Sequence, residues 1–116
     1  MPEPLDGISL STHVLDIARG LPAAGISVGL FALDGERKLL NVVVTNHDGR
    51  TDSPLATDLG PGTYELVFAV TDYFEVVGVQ AFFDEIPVRF RIGGSNARYH
   101  VPLLLSPWGY STYRGS

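Results

Sequence analysis

The chain has 116 residues, with 8 Lys and Arg against 13 Asp and Glu, which gives a formal net charge of −5 at pH 7. This length corresponds to one domain, residues 1–116, and a hydrophobic content of 45% is sufficient for a packed core. The negative charge disfavours binding to nucleic acids, whose phosphates attract basic surfaces. The sequence contains no cysteine, which excludes disulfides, thiolate nucleophiles and thiolate metal ligands.

Signals for a membrane or for secretion are missing from the sequence. No apolar run approaches the roughly 20 residues that a membrane-spanning helix requires, so we expect no membrane association. Residues 1–11 lack a basic segment followed by an apolar stretch and therefore do not resemble a secretory signal. These features predict a soluble, cytoplasmic protein.

Segments with period-two alternation, separated by turns rich in Gly and Pro, predict β-strands along the chain. The first covers residues 7–16, and its alternation puts apolar residues on one face and Ser9, Ser11 and His13 on the other. Further strands are expected at residues 26–33, 39–45 and 63–71. The second of these is apolar on both faces, which predicts a strand that is buried on both sides.

The second half of the chain predicts one helix and three more strands. Residues 71–79 favour a short helix that is capped by Thr71 or Asp72 and turns Phe74, Val77 and Gly78 inward. Strands are expected at residues 88–92, 99–105 and 110–116. Pro102 predicts an edge position or a bulge in the second of these, because proline has no N–H for the ladder. Seven or eight short strands with at most one helix favour an all-β sandwich.

Three histidines are the main candidates for chemistry, since no Gly-x-Ser-x-Gly elbow and no phosphate-binding loop before a helix occur. Their wide spacing disfavours a metal site, although folding could bring them together. His13 is either a surface imidazole or a general base with a pKa close to neutrality. His100 precedes an apolar stretch and is either a core histidine bonded to a backbone carbonyl or a functional group. His47, at the tip of a turn, is given no role.

Two arginines could recognise a ligand. Arg50 follows a tight turn and either pairs with Asp48 or Asp52 or binds a carbonyl, a carboxylate or a developing oxyanion. Arg114 has the same abilities and lies close to Ser116, the last residue. Residues 110–116 are aromatic and alternating, unlike a frayed tail, which suggests that their side chains and the α-carboxylate of Ser116 are used.

Three segments of the chain resemble the signatures of the transthyretin-related proteins, the 5-hydroxyisourate hydrolases of urate breakdown. They are residues 11–16 (STHVLD), residues 45–50 (TNHDGR) and residues 99–116, which end in YRGS. The closing tetrapeptide is typical of the hydrolases and not of the hormone-carrying transthyretins. The resemblance covers essentially the whole chain. One departure is Arg98, because many members have a histidine just before the Tyr-His pair.

The resemblance implies a transthyretin-like β-sandwich of two four-stranded sheets with one short α-helix. It also implies a homotetramer, a dimer of dimers with active sites in the channel between dimers. No cofactor and no metal are implied. Carried onto this chain, the site residues are the catalytic His13, Arg50, His100 and Ser116, and the substrate-binding His13, Arg50, Tyr113, Arg114 and Gly115.

The implied reaction is the hydrolysis of 5-hydroxyisourate, a flat oxidised purine, to 2-oxo-4-hydroxy-4-carboxy-5-ureidoimidazoline. Water attacks a ring lactam, so the site needs a base, an oxyanion stabiliser and groups that orient the substrate. One of His13 and His100 would activate the water and the other would hold the leaving nitrogen, while Ser116 would orient a histidine. The alternatives are a non-enzymatic transthyretin-type carrier of small molecules and a structural sandwich.

Overall fold

The computed structural model describes residues 7–94 and 98–116, and in these ranges the chain forms eleven strands and one helix. In chain order they are β1 (Ile8–Ser11), β2 (Val14–Asp16), β3 (Leu21–Pro22), β4 (Ser27–Ala32), β5 (Lys38–Val44), β6 (Ala56–Leu59), β7 (Gly62–Ala69), α1 (Thr71–Val77), β8 (Glu85–Ile92), β9 (Arg98–His100), β10 (Leu103–Leu105) and β11 (Tyr110–Thr112). In the same ranges, no helix has the length and apolarity that crossing a lipid bilayer requires.

The strands form two layers. One layer has the order β5-β4-β7-β8 and is antiparallel throughout. The other consists of β6-β1-β9 and β11-β10-β2-β3, in which β1 continues into β2 and β9 continues into β10. With each of these pairs counted as one bent strand, the second layer has four strands and the short β3. The predicted all-β sandwich with one short helix is therefore confirmed.

The alternation predicted for residues 7–16 is confirmed by burial. The face that packs into the core is fully or almost fully buried, and it consists of Ile8, Leu10, Thr12 and Val14. Ser9, Ser11 and His13 lie half-buried on the opposite face. Burial of the apolar face in the core thus fixes the direction of the polar side chains, because neighbouring residues of a strand project to opposite sides.

Pro102 lies between β9 and β10 and belongs to neither strand. β9 is at the edge of the sheet β6-β1-β9, whereas β10 lies between β11 and β2, so the irregularity expected at Pro102 occurs as a break between an edge strand and a central strand. The parallel ladder runs up to the bond from Val101 N to the Ser11 carbonyl (3.0 Å) and resumes with Leu103 N and the His13 carbonyl (2.9 Å). Pro102 has no N–H to donate between them. Thr12 Oγ1 instead donates to the Val101 carbonyl at 2.7 Å, which holds the two strands together across the interruption.

The prediction that residues 39–45 are buried on both sides is wrong. β5 is an edge strand that pairs with β4, and most of its residues are exposed, including Val42 (52%) and Val44 (58%). Val43 is the residue of β5 that packs against the core. Apolar composition on both faces does not distinguish an edge strand from a central one, because it carries no information about neighbours.

The helix exists as predicted, but its cap does not. The N-cap residue is Val70, which makes no capping bond, while Thr71 Oγ1 donates to the Asp84 carbonyl at 3.1 Å. The expected cap at Thr71 or Asp72 is therefore wrong. Gly78 is exposed and ends the helix in the left-handed region with φ 77°, so the expectation that it turns inward is also wrong.

Candidate active site

A cavity of about 490 Å³ lies on the face of β1 and β9 that turns away from the core. It is lined by Ser9, Ser11, Arg50, Arg98, Tyr99, His100 and Ser116. Three of the residues proposed from the sequence, Arg50, His100 and Ser116, therefore share one cavity. It combines positive charge, hydroxyl groups and an imidazole, which suits a polar ligand.

The pairing of β1 with β9 creates one wall of the cavity. These strands are parallel, and their register sets Ser9 beside Arg98 and Ser11 beside His100. Since residues two apart on a strand project to the same face, all four side chains stand on the side away from the core. Each serine of β1 therefore has a basic residue of β9 as its neighbour, although the two strands are far apart in the sequence.

His100 is held by contacts on both of its sides. Its Nδ1 is 2.8 Å from Ser11 Oγ, and its backbone carbonyl accepts a hydrogen bond from Gly115 N at 2.7 Å. Burial lowers the pKa of His100, and electrostatic repulsion from Arg50 and His13 lowers it further, while a hydrogen bond to the Ser11 backbone acts in the opposite direction. The imidazole is thus neutral at pH 7, as a general base must be.

His13 sits where β1 passes into β2, on the same face as Ser11. Its Nε2 is 2.9 Å from the backbone carbonyl of Asp48. A carbonyl oxygen only accepts hydrogen bonds, so Nε2 carries the proton and Nδ1 of the neutral ring is left to accept one. Within the described ranges, His13 is outside the set of residues that line the cavity.

A tight turn after β5 brings Arg50 to the cavity. Asn46 Oδ1 accepts hydrogen bonds from the backbone N–H groups of Asp48 (2.9 Å) and Arg50 (3.2 Å). Gly49 is buried in this turn with φ 74°, and its carbonyl accepts from Val14 N at 2.8 Å. A side chain at this position would meet the backbone of β2, so glycine allows the turn to dock there.

The guanidinium of Arg50 makes no ion pair in the described part of the chain. Asp52 instead accepts a hydrogen bond from Asn46 Nδ2 at 2.9 Å, and Asp48 lies 3.5 Å from His47 Nε2. The alternative in which Arg50 pairs with one of these aspartates is therefore wrong. His47 itself is 88% exposed at the turn.

The end of the chain folds back onto His100. Gly115 forms a bridge with His100, and a Cβ added to Gly115 would come within 3.2 Å of His100 Cγ. Arg114 places its guanidinium 4.3 Å from the centre of the Tyr99 ring. In the described chain, Tyr113 and Arg114 are outside the set that lines the cavity, and Tyr113 is 57% exposed. Ser116 reaches the cavity wall.

Four cavity residues were not identified as site residues from the sequence: Ser9, Ser11, Arg98 and Tyr99. The alternation placed both serines on the face of His13, but nothing in the local pattern indicated that β9 lies beside them. Arg98 was noted as a departure from the family pattern and not as part of the site. Among the described residues, no group of three or more histidine and carboxylate side chains is arranged to hold a metal ion.

Comparisons with known proteins agree over most of the chain. Residues 10–115 match the model of the HIUase/Transthyretin family. The chain is 54% identical to 5-hydroxyisourate hydrolase 2 of Rhizobium meliloti (strain 1021) over 114 residues, 92% of this chain and 95% of that protein. Its structure is similar to Klebsiella pneumoniae 5-hydroxyisourate hydrolase (TM-score 0.84, 37% identity), covering 94% of this chain and 99% of that one.

A second solved structure, (S)-allantoin synthase, has a TM-score of 0.88 and 39% identity. The match covers 96% of this chain but only 45% of that protein. The similarity thus includes both layers of the sandwich and the elements that carry the cavity. With a family model that spans nearly all of its residues, this chain belongs to the HIUase/Transthyretin family.

Proposed function

We propose that this chain hydrolyses 5-hydroxyisourate to 2-oxo-4-hydroxy-4-carboxy-5-ureidoimidazoline in urate degradation. The names of its relatives support the reaction, and so does the chemistry of the cavity. The observation that carries the proposal is a neutral His100, bonded to Ser11 and close to the unpaired Arg50, at the wall of an open cavity. These groups supply the base and the positive charge that the hydrolysis of a lactam requires.

In the proposed mechanism His100 is the base. In this proposal its Nδ1–H donates to Ser11 Oγ, so the unprotonated Nε2 takes a proton from the attacking water. The water oxygen bonds to the lactam carbon, the C–N bond breaks, and the leaving ring nitrogen receives the proton from His100. The new carboxylic acid then loses its proton to solvent. A positioned base of this kind contributes about 10²–10⁴-fold in rate.

Arg50 and His13 complete the reaction centre in this proposal. The guanidinium of Arg50 binds the substrate carbonyl and stabilises the oxyanion that forms on it, an effect of about 3–4 kcal/mol for one oxyanion donor. His13 is oriented by the Asp48 carbonyl and offers Nδ1 to an N–H group of the ring that opens. Both roles need the turn that follows β5, because it supplies Arg50 and Asp48 together.

The terminal residues complete the site. Ser116 lines the cavity and is proposed to orient His100 or the substrate, while the Gly115 N–H bond to His100 fixes the tail in place. Tyr113 and Arg114 are proposed to contribute to substrate binding. The stacking of Arg114 on Tyr99 supports a contribution through the position of the tail.

We also infer a homotetramer, a dimer of dimers, in the cytoplasm. Large apolar side chains are exposed on the turn after β2, on β3 and on the turn after β10, namely Ile17 (56%), Leu21 (48%) and Trp108 (68%). The bond from Ile17 N to the Leu105 carbonyl holds these two turns side by side. Exposed apolar side chains that lie together favour contacts between subunits.

A carrier of apolar aromatic ligands is the competing function. Such a carrier needs a pocket lined mainly by apolar groups, whereas this cavity contains two arginines, a histidine and three serines. The polar lining favours the hydrolase.

The hydrolase is tested by generating the unstable substrate from urate with urate oxidase and following its decay by ultraviolet absorbance. We expect the wild-type chain to accelerate the decay. His47→Ala is the matched control, since His47 is exposed outside the cavity, and this variant should be as active as the wild type. A decay rate that is the same with and without the wild-type chain would contradict the proposed function.

A further inference from the structure

Arg98 is the charged residue of the cavity for which the proposed mechanism has no use. It stands on β9 two residues before His100 and therefore on the same face. In residues 7–94 and 98–116, its guanidinium makes no ion pair, and neither does that of Arg50. Arg37 and Arg89 behave differently, since both contact Glu65, at 3.2 and 3.4 Å. Both arginines that line the cavity thus have no carboxylate partner in the described part of the chain.

The charge of the cavity lining is opposite in sign to the net charge of the protein. The whole chain carries a net charge of −5, yet two of its 8 basic residues line this one cavity. A terminal carboxylate on Ser116 would offset only one of these two positive charges. His100 adds no charge at neutral pH because its pKa is lowered. A polar cavity with surplus positive charge attracts anions and concentrates them at the site.

We propose that Arg98 and Arg50 together form an anion subsite that binds the carboxylate created by ring opening. This inference rests on the proposed function. Hydrolysis converts a neutral carbonyl first into a tetrahedral oxyanion and then into a carboxylate, so negative charge grows at one position. Two guanidinium groups at that position bind the anion by charge-assisted hydrogen bonds, and they orient the substrate with the carbonyl to be attacked between them.

Arg98 acts on the ligand and not on the base. The charges that lower the pKa of His100 are those of Arg50 and His13, in addition to burial. Arg98 stands on the same strand but is not one of the main causes of that shift. Removing its charge should therefore weaken the binding of anions and leave the protonation of His100 unchanged, which separates its effect from that of Arg50.

The subsite is tested by equilibrium binding of two stable planar probes, orotate and uracil, by calorimetry at low ionic strength. They share a ring and differ by one carboxylate. We expect the wild-type chain to bind orotate at least about tenfold more tightly than uracil, because charge-assisted bonds to a guanidinium are stronger than neutral ones. Salt should reduce this preference, since both arginines are exposed. Equal binding of the two probes would overturn the proposal without any variant.

Three variants sharpen the test. Arg98→Gln should lose most of the preference for orotate while its affinity for uracil stays the same. Arg98→Lys, which keeps the charge but not the planar fork, should have an intermediate preference. Arg91→Gln is the matched control, because Arg91 is exposed on β8 in the other layer, and it should bind like the wild type. An unchanged preference in Arg98→Gln would remove Arg98 from the subsite.

The hydrolysis assay distinguishes this proposal from the function on which it rests. A chain that hydrolyses 5-hydroxyisourate but does not prefer orotate would keep its function and lose the anion subsite. A chain that prefers orotate in an Arg98-dependent manner but does not hydrolyse the substrate would overturn the product carboxylate as the ligand. The proposal is supported if the chain hydrolyses 5-hydroxyisourate and prefers orotate in an Arg98-dependent manner, and if the product inhibits the wild type more strongly than Arg98→Gln.

Discussion

In the layer β5-β4-β7-β8 every strand pairs antiparallel with its neighbour, and β7 and β8 match over eight consecutive residues. The layer that carries the candidate site is built from shorter strands, and it pairs β1 with β9 and β2 with β10 in parallel. Its ladder is interrupted at Pro102, between the bond to the Ser11 carbonyl and the bond to the His13 carbonyl. The regular layer therefore contributes mainly to the core, whereas the interrupted layer brings distant polar residues together.

This difference between the layers predicts that activity and stability can be lost separately. The largest effect on activity is expected at His100. We expect His100→Ala to lose about 10²–10⁴-fold in turnover, the range for a positioned general base, while its melting temperature stays close to that of the wild type. Steady-state rates and thermal unfolding measure the two effects. Near-wild-type turnover would show that His100 is not the base.

The opposite result is expected in the regular layer. Phe68 on β7 is fully buried, and Phe68→Ala should lower the free energy of unfolding by about 3–5 kcal/mol, through lost burial and the cavity that remains. Urea denaturation measures this loss, and the turnover of the folded fraction should not change. Val44→Ala, at an exposed position of β5, is the control and should cost less than about 0.5 kcal/mol. Loss of turnover in the folded Phe68→Ala protein would show that the two layers are not separable.

A smaller effect is expected where the tail meets the interrupted layer. A methyl group at Gly115 has no room beside the His100 ring, so Gly115→Ala should displace the ring or the tail and reduce turnover by up to about 10²-fold, the loss expected when a catalytic group is misplaced by about 1 Å. Gly60→Ala is the control, since a Cβ at Gly60 meets open space. If Gly115→Ala is fully active, contact between the tail and His100 does not matter for catalysis.

The strands of the fold could be predicted where one face is buried, because burial imposes the two-residue period on the sequence. Residues 7–16 show this, and their polar face was assigned correctly. Residues 39–45 were misjudged, since an apolar edge strand and a central one have the same local pattern. The helix cap was misjudged because Thr71 has a partner in Asp84, a contact from outside the helix.

The site was less predictable than the fold. Arg50 could be noticed from its turn, because Asn46 and Gly49 are typical turn residues whose effects are local. The bond between Ser11 and His100 joins residues 89 apart, and it follows from a parallel pairing that leaves no periodic signal in either segment. For that reason Ser11 was overlooked, while His100 was identified as a candidate from the apolar stretch that follows it, and the family resemblance added its catalytic role.

The smallest expected effect is a shift in the pH dependence of activity. It distinguishes the charge of Arg50 from the planar geometry of its guanidinium group. If neutral His100 is the base, activity rises with pH through the pKa of His100, which burial, Arg50 and His13 hold below its usual 6.5. Arg50→Gln removes a positive charge, so the pKa should rise and the acidic limb of the profile should move to higher pH. Arg50→Lys keeps the charge and should leave the limb in place, although both variants lose turnover. A limb that moves equally in both variants would mean that the fork of Arg50, and not its charge, sets the protonation of His100.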